Sequence, residues 1–547
     1  MQFFVYFLLV CEAISLVHHA STKRNQVSSK PISRKFLLPA KRSIKVYNFL
    51  NGGKPNNPGV VLMLTDRAFN AIQSSLGNVV STVIKNLRIP EKHGVFIAGA
   101  STDLVGTKVI DVGQQARFAI KPRAPNSIQI TFDNLDVTTT SDVLRRRNVG
   151  MVTSELLDIQ GNLIVSLGKD RSGGLTISGI QCDAYINEVA LMYRGVVSLN
   201  RPRRIEEIVR GMLNDKLCTD IGTAASRASS MLKMPFQDKP LLDRKSSSPV
   251  SPDFMRRIVK MMPLSNQKRF NIKSNSLVFR PSLVAAPYVS SSPSFLAFPM
   301  NGQICPRGRC KMPFYPKPLP KKLRSPQRMM NIYISDYVGN SFLYTLYDLG
   351  LFNMTFSKNE TPWMEYFFET ACPQSVCITD VLPEFSSVFP DQQPEVKIHF
   401  LQPPAMRFEN GTIHLFGDFE IQVLAKRKTE STASRAVVGN IQFSMLVKPN
   451  KPKRNLITGT MQFDKWTFQP TENQLEADQA SLNHFSDYTK QILETSLRKF
   501  LTDGFPMTSQ NTQISNAQFE VLENALFAAF DFKVNQAQLI QAVSQAM

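Results

Sequence analysis

The residue types that most often carry catalysis are present but scattered. Ser496-Leu497-Arg498-Lys499 has the S-x-x-K spacing of a nucleophile beside its base. That spacing is frequent by chance, and here it falls inside an amphipathic helical pattern. His93, His399, His414 and His484 lie far apart, with no partner at ligand or relay spacing. His399 and His414 fall in alternating strands, where a satisfied or exposed histidine is the ordinary state. Gly161 to Gly168-Lys169 resembles a phosphate loop, but the spacing is wrong and no Ser or Thr follows Lys169. There is no G-x-S-x-G elbow and no H-E-x-x-H. Nothing fills the joint roles of a catalytic site, so the chain reads as a non-enzyme with no cofactor and no metal.

Cysteine gives the next chemical signal. Of seven cysteines, Cys11 lies in the N-terminal apolar run and leaves with it. Six remain, an even number that suits disulfides in an oxidising compartment. Cys305/Cys310 and Cys372/Cys377 are C-x4-C units holding Pro or Gly. They suit local loop closure, which would leave Cys182 with Cys218. The alternative is zinc held by the four C-x4-C thiols, at poor spacing for that metal.

The N-terminal run MQFFVYFLLVCEAIS has the short apolar core of a secretory signal, with small residues Cys11, Ala13 and Ser15 near its end. No Lys or Arg precedes it, and a buried first strand is the other reading. No apolar stretch is longer than Phe3–Val10, so none spans a bilayer as a helix. Asn353, Asn359 and Asn410 each head an N-x-S/T sequon, which in a secreted chain marks glycosylation.

The net charge of +21 is unevenly placed. Ser21–Val46 carries 8 Lys and Arg and no acid, and Asp238–Arg328 carries 18 against 3 Asp, whereas the chain beyond Arg328 is acidic. Clusters of this kind are either solvated linkers or attractors of anionic surfaces. With a secreted destination, lipid headgroups or bacterial envelope fit better than nucleic acid. The anionic-surface candidates are Arg145, Arg146 and Arg147 in one hairpin, with Lys321, Lys322 and Arg324 in the middle of the chain.

The hydrophobic pattern supplies the frame. Gln237–Arg328 is rich in Pro, Ser, Lys and Arg, and most of it reads as connecting segment without a compact core. Within it SLVFRPSLV and SFLAFPMNGQI look like strands of a small bridging sheet. The flanking halves rhyme: LMLTDRAFN begins the first and IYISDYVGN the second, while Lys216–Asp220 echoes Lys499–Asp503. In each half a strand feeds a helix. Thr65 reads as the first N-cap, and the stripe Phe69, Ile72, Leu76, Val79, Val80, Val83 and Ile84 has helical spacing, up to Arg88-Ile89-Pro90. Alternating strands follow from Gly94 to about Ala190, joined by links too short for crossover helices, so the pairing is antiparallel. A second helix carries Ile205, Ile208, Val209, Met212, Leu213 and Leu217. The second half repeats the plan, with Tyr337, Phe342, Leu343 and Leu346 on one helix. Ile492, Leu493, Leu497, Phe500 and Leu501 lie on another, near Asn483–Thr502, and AQFEVLENALFAAFDFKV returns as strand.

At this point the chain resembles the lipid-binding family of bactericidal/permeability-increasing protein, lipopolysaccharide-binding protein, phospholipid transfer protein and cholesteryl ester transfer protein. Asn57-Pro58-Gly59-Val60-Val61 with Thr65-Asp66 is similar to the family's opening strand and helix, and Leu87-Arg88-Ile89-Pro90 to that helix's exit. Ile334-Ser335-Asp336-Tyr337 resembles the start of the second barrel, and Gly504-Phe505-Pro506 the turn before the final strand. Cys182 and Cys218 sit where the family keeps its disulfide.

The resemblance implies an α+β fold: an elongated tandem of two twisted antiparallel barrels, each wrapped by two helices and joined by a small central sheet, with an apolar lipid pocket in each half. It divides the chain into a signal peptide (1–20), basic tail (21–46), N-terminal barrel (47–237), basic connector (238–328) and C-terminal barrel (329–547). Transferred to the helix stripes, it gives Phe69, Ile72, Leu76, Val80, Val83, Ile208, Val209, Met212, Phe342, Leu346, Leu493 and Leu497 as lipid-binding residues, although an apolar stripe is first a packing face. The function implied is secreted lipid binding and transfer, with phospholipids or other acyl lipids, anionic membranes or lipoprotein particles as partners. The alternative is an innate-defence protein that binds lipopolysaccharide or other envelope lipid. Three features depart from the family: the long basic run Cys305–Arg328, the extra C-x4-C pairs, and a loop beside the Arg145–Arg147 hairpin that offers only Lys92 and His93.

Overall fold

The two stretches that rhyme in the sequence lie side by side. Val60–Thr65 and Met330–Ser335 pair antiparallel, with Val60 opposite Ile334, Leu62 opposite Ile332 and Leu64 opposite Met330. Every residue of Met330–Ser335 is buried, and all but Leu64 of Val60–Thr65. Both faces of the pair are covered, so each strand is apolar or small at nearly every position.

The computed structural model describes residues 45–85, 91–97, 100–113, 116–145, 148–195, 206–207, 210–211, 218–219, 236–240, 262–268, 277–370, 376–427, 432–452, 456–506 and 514–533. The expected signal peptide, all but the end of the basic tail, Leu87–Pro90, Arg146-Arg147 and most of the expected second helix lie outside these residues.

In chain order, β1 (Val60–Thr65) runs into α1 (Asp66–Lys85), then β2 (Lys92–Ile97), β3 (Ala100–Val112), β4 (Arg117–Arg123), β5 (Ser127–Arg145), β6 (Asn148–Lys169) and β7 (Leu175–Gly195). These strands form one antiparallel sheet in the order β2-β3-β5-β6-β7, with β4 also on β5, and α1 packs on β3 and β4. Register shifts break the β5–β6 ladder around Leu135. There Asn134 (φ 53°) and Asp158 (φ 48°) are left-handed, and the Asn134 amide donates to Asp158 Oδ1 at 3.2 Å. Such bulges curl a long sheet. Phe132 lies across the bend opposite Gly161, where any Cβ would sit 2.1 Å from its ring.

Short strands follow: β8 (Lys239–Pro240), β9 (Leu277–Arg280), β10 (Tyr288–Ser291), β11 (Ser294–Met300) and β12 (Gln303–Pro306). The two apolar runs expected as strands of this basic stretch do form strands, β9, β11 and β12, though in two sheets rather than one. Leu277, Val278, Phe279, Leu296, Ala297 and Met300 are almost fully buried. The prolines and cations that set the composition lie mostly at strand ends and in loops, while the apolar positions between them are covered.

The second half opens with β13 (Met330–Ser335) and α2 (Asp336–Asp348), then β14 (Asn353–Phe356), a 3-10 segment (Pro362–Phe368), α3 (Ile378–Val381), α4 (Glu384–Val388), β15 (Gln393–Phe400), β16 (Ala405–Glu409), β17 (Thr412–Lys426), β18 (Ala433–Pro449), β19 (Leu456–Ile457), β20 (Gly459–Asn473), α5 (Gln479–Asp503), β21 (Phe505–Pro506), β22 (Ile514–Leu522) and β23 (Ala525–Phe532). Its sheet runs β14-β15-β17-β18-β20, with β16 on β17. Gly417 faces Phe443 across β17–β18 as Gly161 faces Phe132, with a Cβ again 2.1 Å from the ring. The fold is thus strand-rich α+β, with curled antiparallel sheets and few helices.

The last segment is a hairpin rather than one strand. β22 and β23 pair antiparallel from Leu522 and Ala525 outward, and Asn524 (φ 56°) supplies a left-handed turn residue. The central sheet therefore has the order β10-β11-β1-β13-β23-β22: a hairpin beside each of the two paired strands. One core cluster spans it, with Val60, Leu62 and Phe69 on one side and Ile334, Val338 and Leu346 on the other.

The caps differ between the repeats. Ser335 Oγ accepts the Tyr337 amide at 3.2 Å and caps α2. Thr65 stands directly before α1, at the position expected for its cap, and donates its hydroxyl to the Arg328 carbonyl at 2.6 Å. α5 starts four residues earlier than expected, where Asp478 Oδ1 accepts the Ser481 amide at 2.7 Å. Among the described residues no helix is long and apolar enough to cross a membrane.

Candidate functional site

A cavity of about 370 Å³ lies between α5 and the sheet of the second half. This is within the range of roughly 300–1,000 Å³ usual for small-molecule sites. Its helix wall is Phe485, Thr489, Ile492, Leu493, Ser496 and Leu497. These recur every three or four positions, so one face of α5 looks into the cavity.

Its sheet wall follows from register. Met354 lies opposite Ile398 and Ile398 opposite Ile421, which makes one apolar row across β14, β15 and β17. Phe356 opposite Val396 makes a second. Alternation along β15 buries Val396, Ile398 and Phe400 and turns Lys397 and His399 to the other face. Met364, Phe367 and Phe368 of the 3-10 segment close one side, and Met262 reaches in from the basic middle stretch. Phe367 is held by Tyr488, stacked on it with centroids 5.4 Å apart.

Among the described residues none that lines it is ionisable. The Thr489 hydroxyl is spent on the Phe485 carbonyl at 2.9 Å. Apart from the Thr489 and Ser496 hydroxyls the described lining is apolar, and what it offers a ligand is removal of apolar surface from water.

Of the residues expected to bind lipid, Leu493 and Leu497 line this cavity. Phe342 and Leu346 pack instead into the central core cluster, as do Phe69 and Ile72. Leu76, Val80 and Val83 lie on α1, but their side chains are outside the described residues, as are Ile208, Val209 and Met212 entirely. The cavity's sheet wall and aromatic segment were not named from the sequence. The alternation of Val396, Ile398 and Phe400 marks a buried face, but alternation alone does not distinguish a cavity wall from packed core.

Cys182 and Cys218 are bonded, with Cα atoms 5.6 Å apart, and so are Cys305 and Cys310. Cys377 is disulfide-bonded as well. Arg145 ends β5, with its side chain and both following arginines outside the described residues. Lys321 and Lys322 are exposed. Arg324 is engaged in an ion pair with Glu520, and its guanidinium lies 5.9 Å from the centre of the Phe527 ring. Asn353, Asn359 and Asn410 are all exposed.

No curated protein matches the chain. Among solved structures it is similar to lipopolysaccharide binding protein, at 17% identity and a TM-score of 0.46 over 87% of this chain and 99% of that one. It is also similar to P47 of Clostridium botulinum E1, at 10% identity and a TM-score of 0.31 over 87% and 99%. Takeout 1 of Epiphyas postvittana matches at 13% identity and a TM-score of 0.18, over 30% of this chain and 86% of that one. Residues 273–534, which hold the cavity walls other than Met262, match the C-terminal domain of the LBP / BPI / CETP family. The second half of the chain is thus a C-terminal domain of the LBP / BPI / CETP family.

Proposed function

We propose that this chain is a secreted lipid-binding and lipid-transfer protein whose second half takes phospholipid acyl chain into the cavity under α5. The family consists of lipid-binding and lipid-transfer proteins, which supports lipid binding in general. The observation that carries the finer reading is the cavity's lining, apolar on the helix, sheet and 3-10 sides and free of titratable groups. Each CH₂ buried there is worth about 0.8 kcal/mol, so a chain of ordinary length is held by burial alone. Transfer needs no catalytic group. A cavity that matches the bilayer interior makes exchange near-neutral and removes the aqueous barrier. The exposed Lys321 and Lys322 would add attraction to anionic headgroups.

The test is organic extraction of the secreted protein and mass spectrometry of what it carries. Co-purified phospholipid that is depleted in a folded Leu493→Asp variant supports the reading. A folded Leu493→Asp protein that carries the same lipid at the same stoichiometry refutes it.

A further inference from the structure

A second cavity, of about 320 Å³, has a different character. It lies beneath the disulfide-closed loop Cys305–Cys310, between residues 55–57, residues 301–316 and the first turn of α2. Its walls include Asn57, Asn301, Gln303, Lys311, Tyr315 and Tyr337. One cation and no carboxylate face it.

Its floor is rigid. The Gly59 amide donates to the Asn301 carbonyl at 3.1 Å, and a Cβ on Gly59 would stand 2.2 Å from that oxygen. Asn57 Nδ2 donates to the Pro316 carbonyl at 2.9 Å, and Asn301 Oδ1 accepts the Gln303 amide at 3.0 Å. These bonds, with that of Gln303 Nε2 to the Cys310 carbonyl at 3.3 Å, fix the backbone around the cavity.

Tyr337 is the informative residue. It is only 5% exposed, yet its hydroxyl has no hydrogen-bond partner among the described residues. Tyr337 lines the cavity and its hydroxyl is not fully enclosed, so that donor is open to a ligand there. Burial pushes its pKa up, so it remains a donor at physiological pH, and Arg280 and Tyr315 both act on it electrostatically. Arg307 and Arg309 stand exposed on the stapled loop, next to the exposed Lys311. Among the described residues none of these three cations makes an ion pair.

We infer that this cavity binds a phosphate-class oxyanion, with the Tyr337 hydroxyl and the Lys311 ammonium as its donors and Arg307 and Arg309 drawing it in. The anion could arrive free or as the phosphate of a lipid headgroup. The site is separate from the apolar cavity and does not rest on what that cavity carries.

Calorimetric titration of the full-length protein with inorganic phosphate tests the site. Saturable binding is expected, weakened roughly tenfold or more by Tyr337→Phe, because the lost bond is to a charged group. The Phe variant keeps the ring that meets Phe314 edge-on at 5.8 Å. Lys311→Met, at an exposed position, should weaken binding similarly and decides the matter if Tyr337→Phe fails to fold. Vesicles of phosphatidylcholine with and without phosphatidic acid separate the sources. Displacement of bound phosphate only by the acidic vesicles assigns the site to a headgroup, and no displacement assigns it to the free anion. Acyl-lipid content should be unchanged in both variants. If the wild type binds neither phosphate nor acidic vesicles, or if folded variants bind phosphate as the wild type does, the inference is overturned.

Discussion

Arg324 holds Glu520 with two donors: Nε reaches Oε2 at 2.9 Å and Nη2 reaches Oε1 at 2.6 Å. The pair ties the basic stretch to β22. It also engages a cation that the sequence alone assigns to membrane contact. Both side chains are about half exposed, so the pair is worth at most about 1 kcal/mol. Arg324→Ala should therefore lower stability little and leave binding to anionic vesicles close to wild type. Lys321→Ala with Lys322→Ala should reduce that binding, most visibly at low salt. Co-sedimentation across a salt series checks both. An Arg324→Ala loss as large as that of the lysine pair would mean the guanidinium leaves Glu520 at the membrane.

Lining and core separate by their response to substitution. Leu493→Trp fills the cavity from α5 and should cut bound lipid several-fold while melting changes little. Leu346→Ala removes a buried side chain from the central cluster and should cost about 2–5 kcal/mol without lowering lipid per folded molecule. Lipid stoichiometry measured beside thermal melts distinguishes the two outcomes.

Asp336 gives a pH dependence with a definite sign. It is 5% exposed, and burial raises its pKa to about 6, against smaller opposing effects from the Ser335 hydroxyl, Lys317, the Tyr337 amide and Arg407. The folded state thus binds the proton more tightly than the unfolded chain. Stability from this group is full below the unfolded carboxylate range and is lost as pH rises through about 6. Asp336→Asn should stabilise by on the order of 2 kcal/mol at pH 7.5, with the gain fading toward pH 4. Denaturant melts at the two pH values measure it. A gain that is equal at both would assign the effect to something other than ionisation.

The three sequon asparagines are all at the surface, Asn353 at the start of β14 and Asn410 in the β16–β17 turn. Each should carry glycan in the secreted protein. Enzymatic deglycosylation should reduce the mass in steps that Asn353→Gln, Asn359→Gln and Asn410→Gln remove one at a time. An unchanged mass would exclude modification at all three.

Much of the fold was legible because its signals are local. Phe69 and Ile84 on α1, the alternation of β5 to β7 and the sequence IYIS leading into α2 all report a buried face directly. In the basic middle stretch the apolar runs were legible as strands, but composition, which averages over the stretch, hides how deeply they are buried. Leu277–Phe279 and Leu296–Met300 are core residues surrounded by prolines and cations that are not. The cavity was half legible. Leu493 and Leu497 follow from helical spacing, but the opposite wall depends on Met354, Ile398 and Ile421 falling into one row, and that register is set by pairing across strands. Phe342 and Leu346 have the same local pattern as Leu493, and only their neighbours decide that they are packed.

The central pairing of β1 with β13 bears on what each half could be without the other. A fragment ending at Met300 would keep β1 and its hairpin but leave the far edge of β1 unpaired, apolar on both faces and open to association. Antiparallel pairing is its own two-fold, so a second copy of the same fragment could occupy the place of β13 through an isologous interface. The intact chain is in this sense a symmetric dimer fused into one polypeptide, and its second half supplies the edge protection that a separate half would otherwise find in its own copy.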